Sequence, residues 1–295
     1  MSGLPGGDGK GGVTAGLEAL LKSPRLRRVR LVAVEDGHEL LGVGLGELRL
    51  RVRVPDLCGG LVPFDLLVTV YGHGLEVRED PASPNQRLPQ GCPDRHIVFD
   101  GSFCLHWDGA NRFDFDTDAG CRGWLDALVS FLLRQVEAEF TRRWPAEAGW
   151  AHGGGAVHQL QAEEAAEAIH PRFAEAVRQR RMTVEPKRRV LLLDGARVVA
   201  GVKGGKAGTV GQGSVTGLRR PCPCGSVDKR KRAVSRRNCG QHARRLAELI
   251  EHLAAMQAAE ERYVAMWRRA GRTCCGTLER CSVREAGCGG GKGAP

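Results

Sequence analysis

Apolar residues along the 295-residue chain fall into windows whose spacing separates strands from helices. Leu48, Leu50, Val52 and Val54 alternate with Arg51 and Arg53, which predicts a strand region over residues 40–54 with one buried face. The run FDLLVTV over residues 64–70 predicts another strand. Residues 26–34 also read as a strand, with Val29, Leu31 and Ala33 on one side and Arg28 and Arg30 on the other, before a turn at Asp36-Gly37. Tandem short strands with turn signals predict an antiparallel meander. A short helix is expected over residues 13–21, where Leu17, Leu20 and Leu21 share a face and Pro24 ends it. Residues 80–93 hold four prolines and read as an extended surface loop. The clearest helix of this half covers residues 124–144, with Leu125, Leu128, Val129, Leu132, Leu133 and Val136 at i, i+3, i+4 spacing, and Pro145 ends it.

Beyond that point the pattern changes. Three consecutive glycines mark residues 146–160 as a linker, and residues 162–181 read as helix interrupted at Pro171. A strand pair is expected over residues 189–202 around Asp194-Gly195. Seven glycines make residues 201–217 a flexible loop, and a long helix follows over residues 243–270. The expected organisation is a disordered N-terminus (1–12), an α+β domain (13–145), a linker with helices (146–185) and a small helical, Cys-rich domain with the long helix (186–295).

Composition adds charge and thiols to this picture. The net charge of +10 is uneven: residues 219–245 hold ten basic side chains against one acid, Asp228. That segment suits an acidic protein partner, phosphates or solvent, but no aromatics interleave it, so base stacking is not indicated. Nucleic acid is therefore a secondary reading. No run approaches the ~20 apolar residues of a membrane span. The N-terminus lacks a secretory pattern, so the expected compartment is the cytoplasm. In that reducing setting the eleven cysteines read as free thiols or metal ligands rather than disulfides.

One of them stands out by context. Cys104 closes the stretch DGSFC, just after the Asp100-Gly101 turn. A thiol on a turn beside an apolar run can act as a nucleophile; a cysteine between Phe103 and Leu105 can equally be a small buried hydrophobe. The sequence DGSFCL over residues 100–105, preceded by a helix, a meander and a Pro-rich loop and followed by a helix carrying Trp124, resembles the active-site segment of ubiquitin-conjugating enzymes, the E2 family. The resemblance covers residues 13–145 and implies a UBC-like fold and a thioester on Cys104. The family's His-Pro-Asn triplet begins ten residues before its cysteine, where this chain reads Asp94, Arg95 and His96. His96 thus stands in the place of the Asn, either donating a hydrogen bond to an oxyanion or bracing the loop. Asp108, Asp114, Asp116 and Asp118 can orient an incoming amine, or form a solvated acidic loop.

Two other motifs fail. Read as a calcium loop from Asp114, the chain has Ala119 where Gly belongs and Leu125 where Glu belongs. In the glycine-rich segment Ala207 follows the Gly-Lys pair where a phosphate loop needs Ser or Thr.

The C-terminal cysteines fit metal. Cys222 and Cys224 flank a proline, and Cys239 and His242 follow in C-x-x-H spacing, a Cys3His set suited to tetrahedral zinc. CPCGS followed by lysines resembles the SEC-C zinc motif, although the gap to Cys239 is longer here. Cys274, Cys275, Cys281 and Cys288 form a weaker second set. A helix over residues 243–270 would be about 42 Å long, too far for one ion to serve both sets unless it folds back. The combination of domains resembles the E2-domain-associated cysteine-rich proteins of bacterial ubiquitin-like conjugation systems. That resemblance implies a ubiquitin-like protein and an E1-like adenylating enzyme as partners, a JAB-type peptidase in the same system, and a link to antiphage defence. Two rival expectations stand: an E2-like adaptor without catalysis, and a zinc-dependent nucleic-acid binder.

Overall fold

The structure is a computed structural model that describes residues 23–72, 74–105, 113–145, 150–195, 197–204 and 211–284. The expected disorder at 1–12 and helix at 13–21 lie outside these residues. The chain divides into two compact units, Met1–Pro145 with Cys274–Cys281, and Ala146–Thr273 with Ser282–Pro295.

The first unit is α+β. Helix α1 (Pro24–Glu35) opens it, followed by strands β1 (Glu39–Gly44), β2 (Glu47–Pro55), β3 (Leu61–Tyr71) and β4 (Gly74–Glu79) and helix α2 (Asp118–Thr141). The four strands form an antiparallel meander in sequence order. The alternation read in β2 holds: Leu48, Leu50, Val52 and Val54 are fully buried, facing α1 and α2 in one core. The strand region expected over 40–54 is a hairpin, turned at Leu45-Gly46, where Gly46 takes a φ of 80°.

The strand expected over residues 26–34 is α1 instead. Its buried residues, Leu26, Val29, Arg30, Val32 and Ala33, recur at helical spacing, while Leu31 and Val34 are half-exposed. Pro24 begins this helix, since the first turn needs no amide hydrogen from it. Helix α2 starts six residues before Trp124, because Thr117 caps it by accepting the Gly120 N–H.

Strand β3 is buried on both faces, which is why its sequence is a near-continuous apolar run. The loop after β4 covers the face opposite the helices. Asp65 of β3 receives two hydrogen bonds from the Arg51 guanidinium at 2.6 and 3.0 Å, one from the Ser83 hydroxyl at 2.7 Å and one from the Asn85 amide at 3.1 Å. The Arg51 hydrogen bond, reinforced by those from Ser83 and Asn85, holds the Asp65 carboxyl far below the usual carboxylate range.

The second unit pairs helices with a small sheet. Helix α3 (Gly155–Glu167) begins inside the glycine run expected as linker, and α4 (Pro171–Arg178) follows. Strands β5 (Met182–Glu185), β6 (Val190–Leu193), β7 (Arg197–Lys203) and β8 (Ser214–Val215) make an antiparallel sheet in sequence order. The pair β6–β7 was legible in the sequence, whereas β5 and β8 add a sheet to what reads there as a helical domain. Helix α5 (His242–Arg269) buries Leu246, Leu249, Ile250 and Leu253 at i, i+3, i+4, i+7 spacing. Ala162, Ala165 and Ala166 of α3 share that core. Part of the glycine-rich loop is ordered by Glu251, 4% exposed on α5, which accepts the Gly213 N–H at 2.8 Å and pairs with Arg189 at 3.2 Å. Among the described residues no helix is long and apolar enough to cross a membrane.

Candidate active site and metal centres

The segment from Cys92 to Leu105 is built on short-range backbone pairing. Cys92 and Ile97 exchange backbone hydrogen bonds at 2.9 and 3.0 Å around a 3-10 turn, Pro93–Arg95. The buried Arg95 locks that turn to α2: its guanidinium donates to the Gln135 side-chain oxygen at 2.7 Å and to the Gln135 carbonyl at 3.1 Å, while the Gln135 amide donates to the Arg95 carbonyl at 2.8 Å. His96 leaves the turn with φ 54° and ψ 37°, a left-handed conformation that His, Asn and Asp adopt more readily than other side chains.

From there the chain reverses. Ile97 bridges Phe103, and Val98 donates to the Ser102 carbonyl at 2.8 Å. Asp100 caps the reversal by accepting from the Ser102 N–H at 3.0 Å and hydroxyl at 2.7 Å, and Gly101 takes φ 87°. The Phe103 N–H donates to the Val77 carbonyl of β4 at 2.8 Å, so the reversal is sewn to the sheet. Cys104 follows, with its N–H on the His96 carbonyl at 2.8 Å.

Cys104 is exposed at this position. The surrounding atoms nonetheless desolvate its sulfur, and that burial pushes the thiol up from its ordinary value. Cys121 is fully buried and its thiol is raised to about 11, chiefly by burial. Cys58 is exposed in the β2–β3 loop. Exposure thus leaves Cys58 and Cys104 as accessible thiols of this unit's sheet region, and only Cys104 sits on a segment pinned to both sheet and helix.

His96 is 8% exposed, and its ring packs 5.5 Å from the Trp144 ring. Its backbone carbonyl accepts the Cys104 N–H. The acidic residues have local work at the start of α2. Asp118 pairs with Arg28 at 3.0 Å, Asp114 accepts the Asp116 N–H at 3.0 Å, and the Asp114 carbonyl accepts from Thr117. Asp108 lies outside the described residues.

In the second unit the Cys3His set assembles as its spacing suggests. The donor atoms of Cys222, Cys224, Cys239 and His242 all lie within 4.8 Å of one another. His242 Nδ1 is 3.5 Å from Cys222 Sγ and 3.3 Å from Cys239 Sγ, and Cys224 Sγ is 3.5 Å from Cys239 Sγ. The long gap that separates this chain from the SEC-C pattern is a hairpin. Pro221 bridges Ser235, Val227 bridges Ala233, and Asp228 caps the tip by accepting the Arg230 and Arg232 N–H groups at 2.9 Å. The hairpin returns the chain to a 3-10 turn, Arg236–Asn238, and His242 opens α5. Arg236, which sequence reasoning treated only as charge, anchors this centre to the sheet. Its guanidinium donates to the Val199 carbonyl at 2.7 Å and the Thr216 carbonyl at 2.9 Å.

Burial raises the Cys222 thiol to about 12. Burial would also raise Cys224, but hydrogen bonds from the Ser226 hydroxyl and N–H and from the neighbouring thiols pull it down to about 6. Three sulfurs and one imidazole on a common point, with no carboxylate, make a closed donor set that fits a tetrahedral thiophilic ion. Cys274, Cys275 and Cys281 form a separate group, also within 4.8 Å, and belong to the first unit. Cys288 lies outside the described residues.

Comparison with known proteins agrees with both halves. The profile of the prokaryotic E2 domain matches residues 46–146. The profile of a cysteine-rich domain C-terminal to the E2 domain matches residues 151–283. No curated protein and no solved structure matches the chain. With an exposed cysteine on the reversal after the meander and a Cys3His set beyond it, the chain belongs to the prokaryotic E2-domain proteins that carry a cysteine-rich domain C-terminal to the E2 domain.

Proposed function

We propose that this protein carries a ubiquitin-like protein as a thioester on Cys104 and passes it to an amine. The observation that carries this reading is the exposed Cys104, held by its own N–H on the His96 carbonyl. In the first step the Cys104 sulfur attacks the thioester of an E1-like adenylating enzyme. A carbon–sulfur bond forms to Cys104, the bond to the donor sulfur breaks, and the donor leaves as a thiolate that takes up a proton. The exchange is nearly isoenergetic, so access and positioning are the chief demands. In the second step a neutral amine attacks the Cys104 thioester, an amide forms, and the Cys104 thiolate leaves. The partners on this reading are a ubiquitin-like protein and an E1-like adenylating enzyme, with a JAB-type peptidase in the same cytoplasmic, bacterial system. A role in antiphage defence rests on the resemblance alone. Cys222, Cys224, Cys239 and His242 would hold zinc as a structural ion.

The test is to incubate the full chain with the E1-like enzyme, the ubiquitin-like protein and ATP. We expect a thiol-sensitive adduct in the wild type and in Cys58→Ser, none in Cys104→Ala, and a thiol-resistant ester or no adduct in Cys104→Ser. An adduct that persists in Cys104→Ala sinks the reading. Tight binding of the ubiquitin-like protein without any adduct would favour the non-catalytic adaptor.

A further inference from the structure

Cys92 lies far in sequence from the other cysteines of its neighbourhood. Its sulfur is 3.0 Å from that of Cys275, across a separation of 183 residues. Cys275 in turn groups with Cys274 and Cys281. The segment that carries these three is fixed to the end of α2. The Glu279 N–H donates to the Arg142 carbonyl at 2.9 Å, Arg143 pairs with the Glu279 carboxylate at 3.0 Å, and Leu278 packs with Cys92 and Ala138.

A backbone amide and a hydroxyl lie against two of these sulfurs. The Gly276 N–H points at Cys274 Sγ at 3.4 Å, and Cys275 Sγ lies 3.1 Å from the Thr277 hydroxyl. The same device operates at the Cys3His set, where the Ser226 N–H points at Cys224 Sγ at 3.4 Å. Amide hydrogens aimed at sulfur favour its anionic form. Arg95 supplies the second observation. Its guanidinium is 1% exposed and makes no ion pair with a carboxylate among the described residues. A buried cation needs compensation, and a centre of anionic sulfurs at Cys92, three residues before it, would provide it.

We propose that Cys92 completes a four-thiolate metal centre with Cys274, Cys275 and Cys281, clamping the segment Cys274–Cys281 to the loop that presents Cys104. The donor set selects a thiophilic ion with tetrahedral preference, of which zinc is the common case. Binding releases the remaining thiol protons. The centre is close to the nucleophile in connectivity: Cys92 exchanges backbone hydrogen bonds with Ile97, and the adjoining His96 carbonyl holds the Cys104 N–H. Cys92 therefore takes the place that sequence reasoning gave to Cys288.

The proposal is tested on the full chain by elemental analysis together with native mass spectrometry. We expect two metal ions per chain in the wild type and in Cys288→Ser, and one in Cys92→Ser and in Cys222→Ser. Should Cys92→Ser fail to fold, alkylation of the wild type during chelator titration answers instead. Cys92 and Cys275 should become reactive at the same chelator concentration, while the buried Cys121 stays protected. Two ions in Cys92→Ser, one ion in Cys288→Ser, Cys92 reactivity indifferent to chelator, or a mapped Cys92–Cys275 disulfide would each overturn the proposal.

Discussion

At the scale of single residues, the candidate site joins the Cys104 N–H to the His96 carbonyl. The environment of Cys104 raises its thiol, with desolvation as the cause. Below that raised value the thiolate fraction grows about tenfold per pH unit. The rate of thioester transfer to Cys104, measured in single-turnover pulse-chase, should therefore climb steeply from pH 7 to pH 8 and beyond; a flat profile would show that deprotonation is supplied from elsewhere. His96 contributes its carbonyl to the Cys104 N–H and its left-handed φ of 54° to the turn. Asn shares that tolerance and Ala does not. His96→Asn should keep charging within a few-fold, whereas His96→Ala should destabilise the fold by about 1–2 kcal/mol in urea titration and slow charging. Equal loss in both variants would point to the imidazole itself.

At the scale of elements, the sequence pattern and the structure agree where burial is one-sided and part where it is not. The alternation in β2 is readable because its Leu and Val residues face one core and its arginines face the other side. Helix α1 is misread because Arg28 and Arg30 happen to alternate with Val29 and Leu31, although Arg30 is itself buried. The two readings differ in a measurable way. A strand would put Leu31 on the same buried side as Val29; the helix exposes Leu31 by 49% and buries Leu26 completely. Leu26→Ala should cost about 2–5 kcal/mol and Leu31→Ala within about 0.5 kcal/mol in equilibrium denaturation. The reverse ranking would restore the strand. Of the candidate site, the position of Cys104 on its turn and the clustering of the Cys3His set were legible because their signals are local. The Cys92–Cys275 contact spans 183 residues, and no spacing rule reaches that far. Arg95 and Arg236 were missed for a related reason, since a buried guanidinium on backbone carbonyls looks in sequence like any surface arginine.

At the scale of the whole molecule, both units use side-chain chemistry to hold segments that apolar packing alone does not. Aromatic residues make up only 5% of the chain, and the hairpin from Pro221 to Ser235 adds few buried apolar groups: Val227 is 60% exposed and Leu218, just before it, 42%. What orders that hairpin is its ladder, the Arg236 anchor and the convergence of four donors. A metal that binds this set only when it is folded contributes its binding free energy to the stability of the fold. The ligands bind as thiolates and neutral imidazole, so protons compete and the contribution falls as pH falls. Chelation at neutral pH should therefore release hydrogen-exchange protection at the Cys222 and Val234 amides, which donate to Val234 and Ser226 carbonyls. The β2–β3 ladder of the first unit, with Val52 opposite Phe64 in its buried centre, should keep its protection. Cys222→Ser should reproduce the loss without chelator, and acidification should reproduce it in the wild type. Protection at Val234 that survives chelation and Cys222→Ser alike would mean that the ladder and Arg236 suffice and that the donors converge without a structural ion.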